Sequence, residues 1–167
     1  MGCGSKMSRL YEHYIDSVMK DLLQQSFDLL IFEKKQQQAG IKPYHDYGFI
    51  VFPAAKAYEG FLKNLFLDLK VISKQQFESD HFRIGRALSP SLPKRYRVGW
   101  VYGKLVDYCQ GEVLPMEMWN TWKIARNRTF HYFPQHQQCI TILEAENLIS
   151  EITQVMDKCL TGCKIMT

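Results

Sequence analysis

The 167-residue sequence lacks a long hydrophobic run, and no window approaches the roughly 18 uncharged apolar residues of a transmembrane helix. No apolar signal-peptide segment follows the basic start, and a myristoylation signal would need Ser or Thr where Lys6 stands. With 46% hydrophobic and 23% charged residues, the composition is typical of a globular protein. We therefore expect one domain over 1–167, with 1–7 disordered, in the cytoplasm and without a membrane partner.

An even, clustered set of cysteines is also missing. The chain has five scattered cysteines, Cys3, Cys109, Cys139, Cys159 and Cys163. An odd, scattered set favours free thiols in a reducing compartment over a disulfide framework. His131, His136 and Cys139 could be read as metal ligands, but no fourth ligand follows at a standard spacing. We predict no metal and no cofactor.

Alternating strand patterns and internal repeats are absent as well. Apolar residues recur instead at steps of three and four, which predicts an all-α fold, a bundle of about five helices. Ser8 is a predicted N-cap, Gly40 a predicted stop, and Thr141 to Glu144 form a capping-box pattern. The predicted helices cover 8–39, 53–69, 95–110, 114 to the residue before Pro134, and 141–162, with a short extended piece at 49–52.

Carboxylates are missing between His81 and Val106, where six cations stand among aromatic residues. Basic residues interleaved with aromatic ones suit a surface that follows a nucleic-acid backbone. Arg95 and Arg97 are the residues predicted to contact the nucleic acid. The alternative is a solvated basic face whose aromatic side chains turn inward, and a net charge of +4 allows a nucleic-acid partner without requiring one.

The candidate catalytic residues lie in the run Arg126-Asn127-Arg128-Thr129-Phe130-His131. A guanidinium holds phosphate oxygens through two parallel donors and keeps its charge at any working pH. An imidazole takes or gives a proton near pH 7. Together they can cleave a phosphodiester without a metal. The same residues also suit an ordinary helix C-terminus, where the macrodipole favours cations.

The predicted second helix adds Lys56 and Glu59, three residues apart and therefore on one helix face. The ordinary interpretation is a surface ion pair of little energetic weight. These two polar residues nevertheless stand in an otherwise apolar segment, which favours a functional role.

The pattern Arg126-Asn127-x-x-x-His131 resembles the Arg-Asn-x-x-x-His signature of the HEPN superfamily of helical proteins, many of them ribonucleases. The segment 55–62 is similar to the C-terminal HEPN-like domain of the RnlA/LsoA-type endoribonuclease toxins. In that group a basic residue and a glutamate three apart accompany the later Arg and His. Lys56 stands where this group is expected to have arginine. Lysine keeps the positive charge but cannot bind through two parallel donors as arginine does. The resemblance covers about 45–135. The larger toxins also carry N-terminal domains, for which we expect no room in 167 residues.

The resemblance implies metal-independent cleavage of single-stranded RNA at a composite site in a symmetric homodimer. It also implies a toxin or defence effector held in check by an antitoxin protein. The alternatives are a non-catalytic HEPN module that binds nucleotide, RNA or a partner protein, and an unrelated helical interaction domain with an accidental Arg-to-His spacing.

RNA supplies its own nucleophile, the 2′-hydroxyl, so the protein needs a base, an acid and cations. His131 is the predicted general base or acid, and Arg126 and Lys56 would stabilise the charge of the transition state. Glu59 would orient His131 or Lys56, or relay a proton.

Two further residues of the signature have supporting roles. Asn127 would hold a phosphate or fix the tautomer of His131. Arg128 would contact the RNA backbone.

Overall fold

The computed structural model describes residues 9–97, 100–131 and 139–163, with the side chains of 127 and 128 outside this description. Within these ranges the chain is all-α, without a strand, as predicted. The helices are α1 Tyr11–Tyr14, α2 Ser17–Gln38, α3 Gly48–Asp68, α4 Lys74–Glu78, α5 Ile84–Ala87, α6 Val101–Tyr108, α7 Val113–Trp122 and α8 Ile142–Gly162. A 3₁₀ turn covers Lys94–Tyr96, and a π-helical segment covers Lys123–Arg128.

The prediction of about five helices is confirmed for the longer ones, α2, α3, α6, α7 and α8. The predicted disorder of 1–7, the Ser8 cap and the stop at Pro134 lie outside the described residues. None of the helices in the described ranges combines the length and the apolar composition that a membrane span needs.

Helix α3 is the central element of the bundle, with α2 packed on one side and α8 on another. Its predicted apolar stripe is confirmed, because every member of the stripe is buried: Ala54, Tyr58, Phe61, Leu62, Leu65 and Leu69. Burial of this stripe contributes to stability at about 25 cal/mol for each Å² of apolar surface removed from water. The outward face of α3 is thereby left for Lys56 and Glu59.

The predicted start of α3 is wrong, and so is the extended piece at 49–52. The helix begins at Gly48, whose N–H donates to the Asp46 carboxylate at 2.8 Å. The sequence pattern predicts Pro53 at the first helical position, where a backbone N–H would have no intrahelical acceptor anyway. Pro53 lies inside the helix instead, and the buried Ser26 hydroxyl of α2 accepts the N–H of Ala54 at 2.9 Å. This tertiary hydrogen bond stabilises the helix beside the proline.

The predicted single helix over 8–39 is also wrong, because the chain is extended at Ile15 and Asp16. The Asp16 carboxylate accepts the N–H of Met19 at 2.8 Å and so caps a separate α2. The N–H of Tyr11 donates to Asp157 of α8 at 2.9 Å, which fastens the short α1 to the bundle. The predicted stop is confirmed by Gly40, whose φ of +73° suits glycine.

The predicted helix over 95–110 is shorter than expected. The 3₁₀ turn Lys94–Tyr96 stands before it, and α6 proper covers Val101–Tyr108. Trp100 lies between the two pieces, and its indole N–H donates to the carbonyl of Ser89 at 2.8 Å. This contact ties the loop to the start of α6 and interrupts the helical path.

The capping box of α8 is confirmed, and it supports a stability prediction. The Thr141 hydroxyl accepts the N–H of Glu144, while the Glu144 carboxylate accepts the N–H of Thr141 at 2.8 Å and its hydroxyl at 2.7 Å. We expect Thr141→Ala to lower the free energy of unfolding by about 1 kcal/mol. Urea unfolding measures this, with Thr153→Ala in the middle of α8 as the control. A loss no larger than the control's would contradict the prediction.

The same cap should depend on pH. The hydrogen bonds from Thr141 hold the pKa of the Glu144 carboxyl below its usual value. A carboxyl whose pKa is lowered by folding stabilises the protein above its unfolded pKa, and this stabilisation is lost as the pH falls through the folded pKa. The difference between the parent and Thr141→Ala should therefore shrink in acid.

Candidate functional site

A π-helical segment, Lys123–Arg128, continues α7 and contains the first three residues of the Arg126–His131 run. A π-helical turn places one more residue in each turn than an α-helix, and such turns are frequent at functional sites. The hydroxyl of Thr129 donates to the carbonyl of Ile124 at 2.8 Å, which secures the end of the segment. Ala125 is buried while Arg126 is exposed, so the segment presents the arginine to solvent.

Arg126 and Glu59 come together although they stand far apart in the sequence. The Nε of Arg126 lies 3.6 Å from a carboxylate oxygen of Glu59, and both side chains are partly exposed, at 44% and 34%. The guanidinium also lies over the Trp122 ring, 5.9 Å from its centroid. A pair this exposed contributes at most about 1 kcal/mol to stability. The pair places the guanidinium of Arg126 beside α3.

A second contact joins the same two parts of the chain. The rings of Phe52 on α3 and Phe130 meet edge to face, with centroids 5.1 Å apart. Phe52, Lys56 and Glu59 follow one another at steps of four and three, so they share one face of α3. His131, an exposed residue, comes directly after Phe130. The two segments therefore lie side by side in a single chain.

The predicted residues are placed as follows. Glu59 and Arg126 are in contact, whereas the sequence predicts that Glu59 orients Lys56 or His131. Lys56 is exposed on the same face of α3, one turn before Glu59. Asn127 belongs to the π-helical segment, as does Arg128, but their side chains lie outside the described residues.

Arg95 and Arg97 differ in what they contact. Arg95 is exposed and lies over Tyr96, 4.8 Å from the ring centroid. Arg97 donates through Nε to the carbonyl of Leu92 at 2.9 Å and lies over Trp100, 4.1 Å from its centroid. Arg97 thus helps to hold the loop in shape through its Nε and its contact with the Trp100 ring.

Two of the six basic residues of 81–106, Arg83 and Arg86, line a concave surface, although neither is among the predicted RNA contacts. They border a cleft of about 270 Å³, whose lining has no carboxylate: Gln76, His81, Phe82, Arg83, Arg86, Ala87, Leu92 and Trp100. The absence of Asp and Glu from 81–106 is the sequence signal for this cleft.

Trp122 packs against α5, the helix that carries Arg86, and also contacts Arg126. A Cβ atom at Gly85, between the two cleft arginines, would lie 2.3 Å from Cη2 of Trp122. The same indole lies beneath the Arg126 guanidinium. Glycine is therefore needed at position 85 for the indole to pack against α5.

No family model, no curated protein and no solved structure matches this chain. The described residues contain no group of three or more His, Cys, Asp or Glu side chains able to hold a metal ion. His136, one of the three conceivable ligands in the sequence, lies outside the described residues.

The arrangement pairs a fixed cation, Arg126, with the Glu59 carboxylate. Lys56 lies on the same face of α3 as Glu59, and His131 follows Arg126 by five residues in the sequence. Cations of this kind bind phosphate oxygens and stabilise charge that develops on them. The histidine can transfer protons near neutral pH. These are the groups that a phosphodiester cleavage needs when the nucleophile belongs to the substrate.

Proposed function

We propose that this chain is a metal-independent endoribonuclease of the HEPN kind. The observation that carries the proposal is the contact between Arg126 and Glu59, because it joins the two sequence segments on which the resemblance rests. The substrate would be single-stranded RNA, and the reaction an attack by the 2′-hydroxyl on the adjacent phosphorus.

Each residue has a defined part in this reaction. His131 would remove the proton of the 2′-hydroxyl or protonate the departing 5′-oxygen. Arg126 and Lys56 would stabilise the negative charge on the phosphorane-like transition state. Glu59 would keep the guanidinium of Arg126 aimed at the site until a phosphate takes its place as the partner.

A homodimer would supply the second proton-transfer group from the partner's copy of the site. Exposed aromatic side chains near the start of α3 support this part of the proposal, since Tyr44 is 62% and Phe49 42% exposed and their rings lie 5.6 Å apart. Exposed apolar side chains grouped together often mark an interaction surface. Control by an antitoxin protein and a cytoplasmic location belong to the same proposal and rest on the resemblance.

The test is an assay of single-stranded RNA degradation by the purified chain, once in EDTA and once with Mg²⁺. We expect cleavage in both. If the RNA stays intact in both but is bound, the chain is a binding module, which is the alternative function.

The Arg83–Arg86 cleft is proposed to bind the RNA backbone. In a His131→Ala background, in which cleavage is expected to be slow, we expect Arg83→Gln with Arg86→Gln to weaken RNA binding. The slope of log affinity against log salt should fall by about 0.7 for each phosphate of the single strand that the variant no longer neutralises. Fluorescence anisotropy of a labelled RNA over a salt series measures both quantities.

The matched control removes two cations from α2, with Lys20→Gln and Lys34→Gln, and has the same net charge as the cleft variant. It should change affinity much less than the cleft variant does. Equal decreases in affinity for the two variants would mean that net charge alone attracts the RNA.

A further inference from the structure

Two cysteine sulfurs lie in contact away from Arg126. Cys109 comes shortly before the start of α7 in the sequence, whereas Arg126 comes shortly after its end. Cys109 follows the last residue of α6, and Cys163 follows the last residue of α8. Their Sγ atoms are 3.4 Å apart. A disulfide needs about 2.0 Å between its sulfurs, so a shift of roughly 1.4 Å would bring the two atoms to bonding distance.

We infer that Cys109 and Cys163 form an oxidisable dithiol, a modification site whose reaction partner is a two-electron oxidant such as hydrogen peroxide. The site does not depend on the proposed ribonuclease activity. Its observations are the contact between the sulfurs, the unequal burial of the two thiols and their places at two helix ends.

The two thiols have different chemical surroundings. Cys109 is partly exposed, whereas Cys163 is almost completely buried. The hydrogen bond between them lowers the pKa of Cys109, and the same hydrogen bond together with burial raises the pKa of Cys163. Either sulfur can be the donor in this contact, and the more accessible of the two is Cys109. Because the thiolate is the nucleophile, Cys109 is the sulfur that an oxidant meets first.

The oxidation balances in two steps. The Cys109 thiolate attacks one peroxide oxygen, the O–O bond breaks, and the hydroxide that leaves takes a proton to become water. The Cys163 sulfur, losing its proton, then attacks the sulfenic sulfur of Cys109, and the S–O bond breaks to release a second water. Two thiols are oxidised to one disulfide while one peroxide is reduced to two waters. A dithiol reductant reverses the bond by thiol exchange.

Cys159 is the nearest competitor, one helical turn before Cys163. Its side chain is buried, and burial raises the pKa of its thiol. It therefore stays protonated and out of reach of the oxidant. A Cys159→Ala variant should form the Cys109–Cys163 bond like the parent.

The test uses the full chain, reduced and then treated with hydrogen peroxide, followed by proteolysis without reductant and mass spectrometry. We expect a cross-linked peptide pair that contains Cys109 and Cys163, lighter by two hydrogen atoms and separated again by dithiothreitol. In Cys163→Ser, dimedone should trap a sulfenic acid on Cys109. The matched control Cys139→Ser should keep the cross-link.

Two results would overturn the inference. One is a parent chain whose Cys109 becomes sulfenic or sulfinic acid without bonding to Cys163. The other is a cross-link through Cys3 or Cys139 in place of this pair. Circular dichroism of each variant shows whether it folds, and Cys163→Ala replaces the serine variant if a buried hydroxyl disturbs the helix end.

Discussion

Cleavage of single-stranded RNA should fall by roughly 10²–10⁴-fold in His131→Ala, because the variant has no group to transfer the proton at this position. Arg126→Ala should reduce cleavage by about 10²–10³-fold, since no fixed cation would then face the charge that develops on phosphate. Initial rates in EDTA, measured on a labelled single-stranded RNA, provide both numbers. These are the largest functional effects that we expect from single substitutions.

Matched controls separate this chemistry from changes in charge or fold. His13→Ala removes an exposed histidine of α1 and should keep the parent rate. Arg126→Lys keeps the charge but loses the planar fork, so its rate should fall between those of the parent and Arg126→Ala. All four variants change exposed residues, and their free energies of unfolding should stay within about 1 kcal/mol of the parent. A His131→Ala protein that cleaves at the parent rate would remove His131 from the mechanism.

The largest decrease in stability is expected for Phe61→Ala, at about 3–5 kcal/mol. Phe61 is fully buried in α3, between the Tyr14 ring at 5.5 Å and the Tyr58 ring at 6.3 Å between centroids. Removing it leaves a cavity beneath the helix that carries Lys56 and Glu59. Urea or guanidinium unfolding, followed by far-UV circular dichroism, measures the change.

Phe32→Ala is the matched control, because the same side chain is 54% exposed on α2. Its effect should stay within about 0.5 kcal/mol. If the two variants are destabilised by the same free energy, α3 is not the centre of the packed core. A Phe61→Ala protein that still folds should also cleave RNA, more slowly, because the face of α3 would be less well held.

Local patterns predict much of the fold. The apolar stripe of α3, the glycine stop after α2 and the Thr141 capping box each depend on residues close in sequence, and each is confirmed. Side-chain spacing and capping chemistry decide such features within one or two turns.

The wrong boundaries have tertiary causes. The pattern predicts a helix start at Pro53, but Ser26 of α2 supports the helix past this residue through the N–H of Ala54. Asp16 divides the first predicted helix because its carboxylate caps α2, while Tyr11 bonds to α8. Periodicity alone does not reveal hydrogen bonds between distant segments.

In the candidate site, too, some features follow from the local sequence and others from tertiary packing. The residue types of the Arg126–His131 run and of Lys56 and Glu59 are visible in the sequence. The ion pair between Arg126 and Glu59 depends on how α3 packs against the π-helical segment, and a 3.6-residue period does not predict that segment. The approach of Cys109 to Cys163 is likewise invisible in the sequence, since it joins the ends of α6 and α8.

The chemistry of the cut ends tests the proposed mechanism most directly. Attack by the 2′-hydroxyl predicts one product that ends in a 2′,3′-cyclic phosphate and another that begins with a 5′-hydroxyl, both formed in EDTA. A strand with a single 2′-deoxynucleotide at the cut position should remain whole there. A 5′-phosphate product, cleavage at the deoxynucleotide, or RNA left intact by the parent protein would contradict the mechanism.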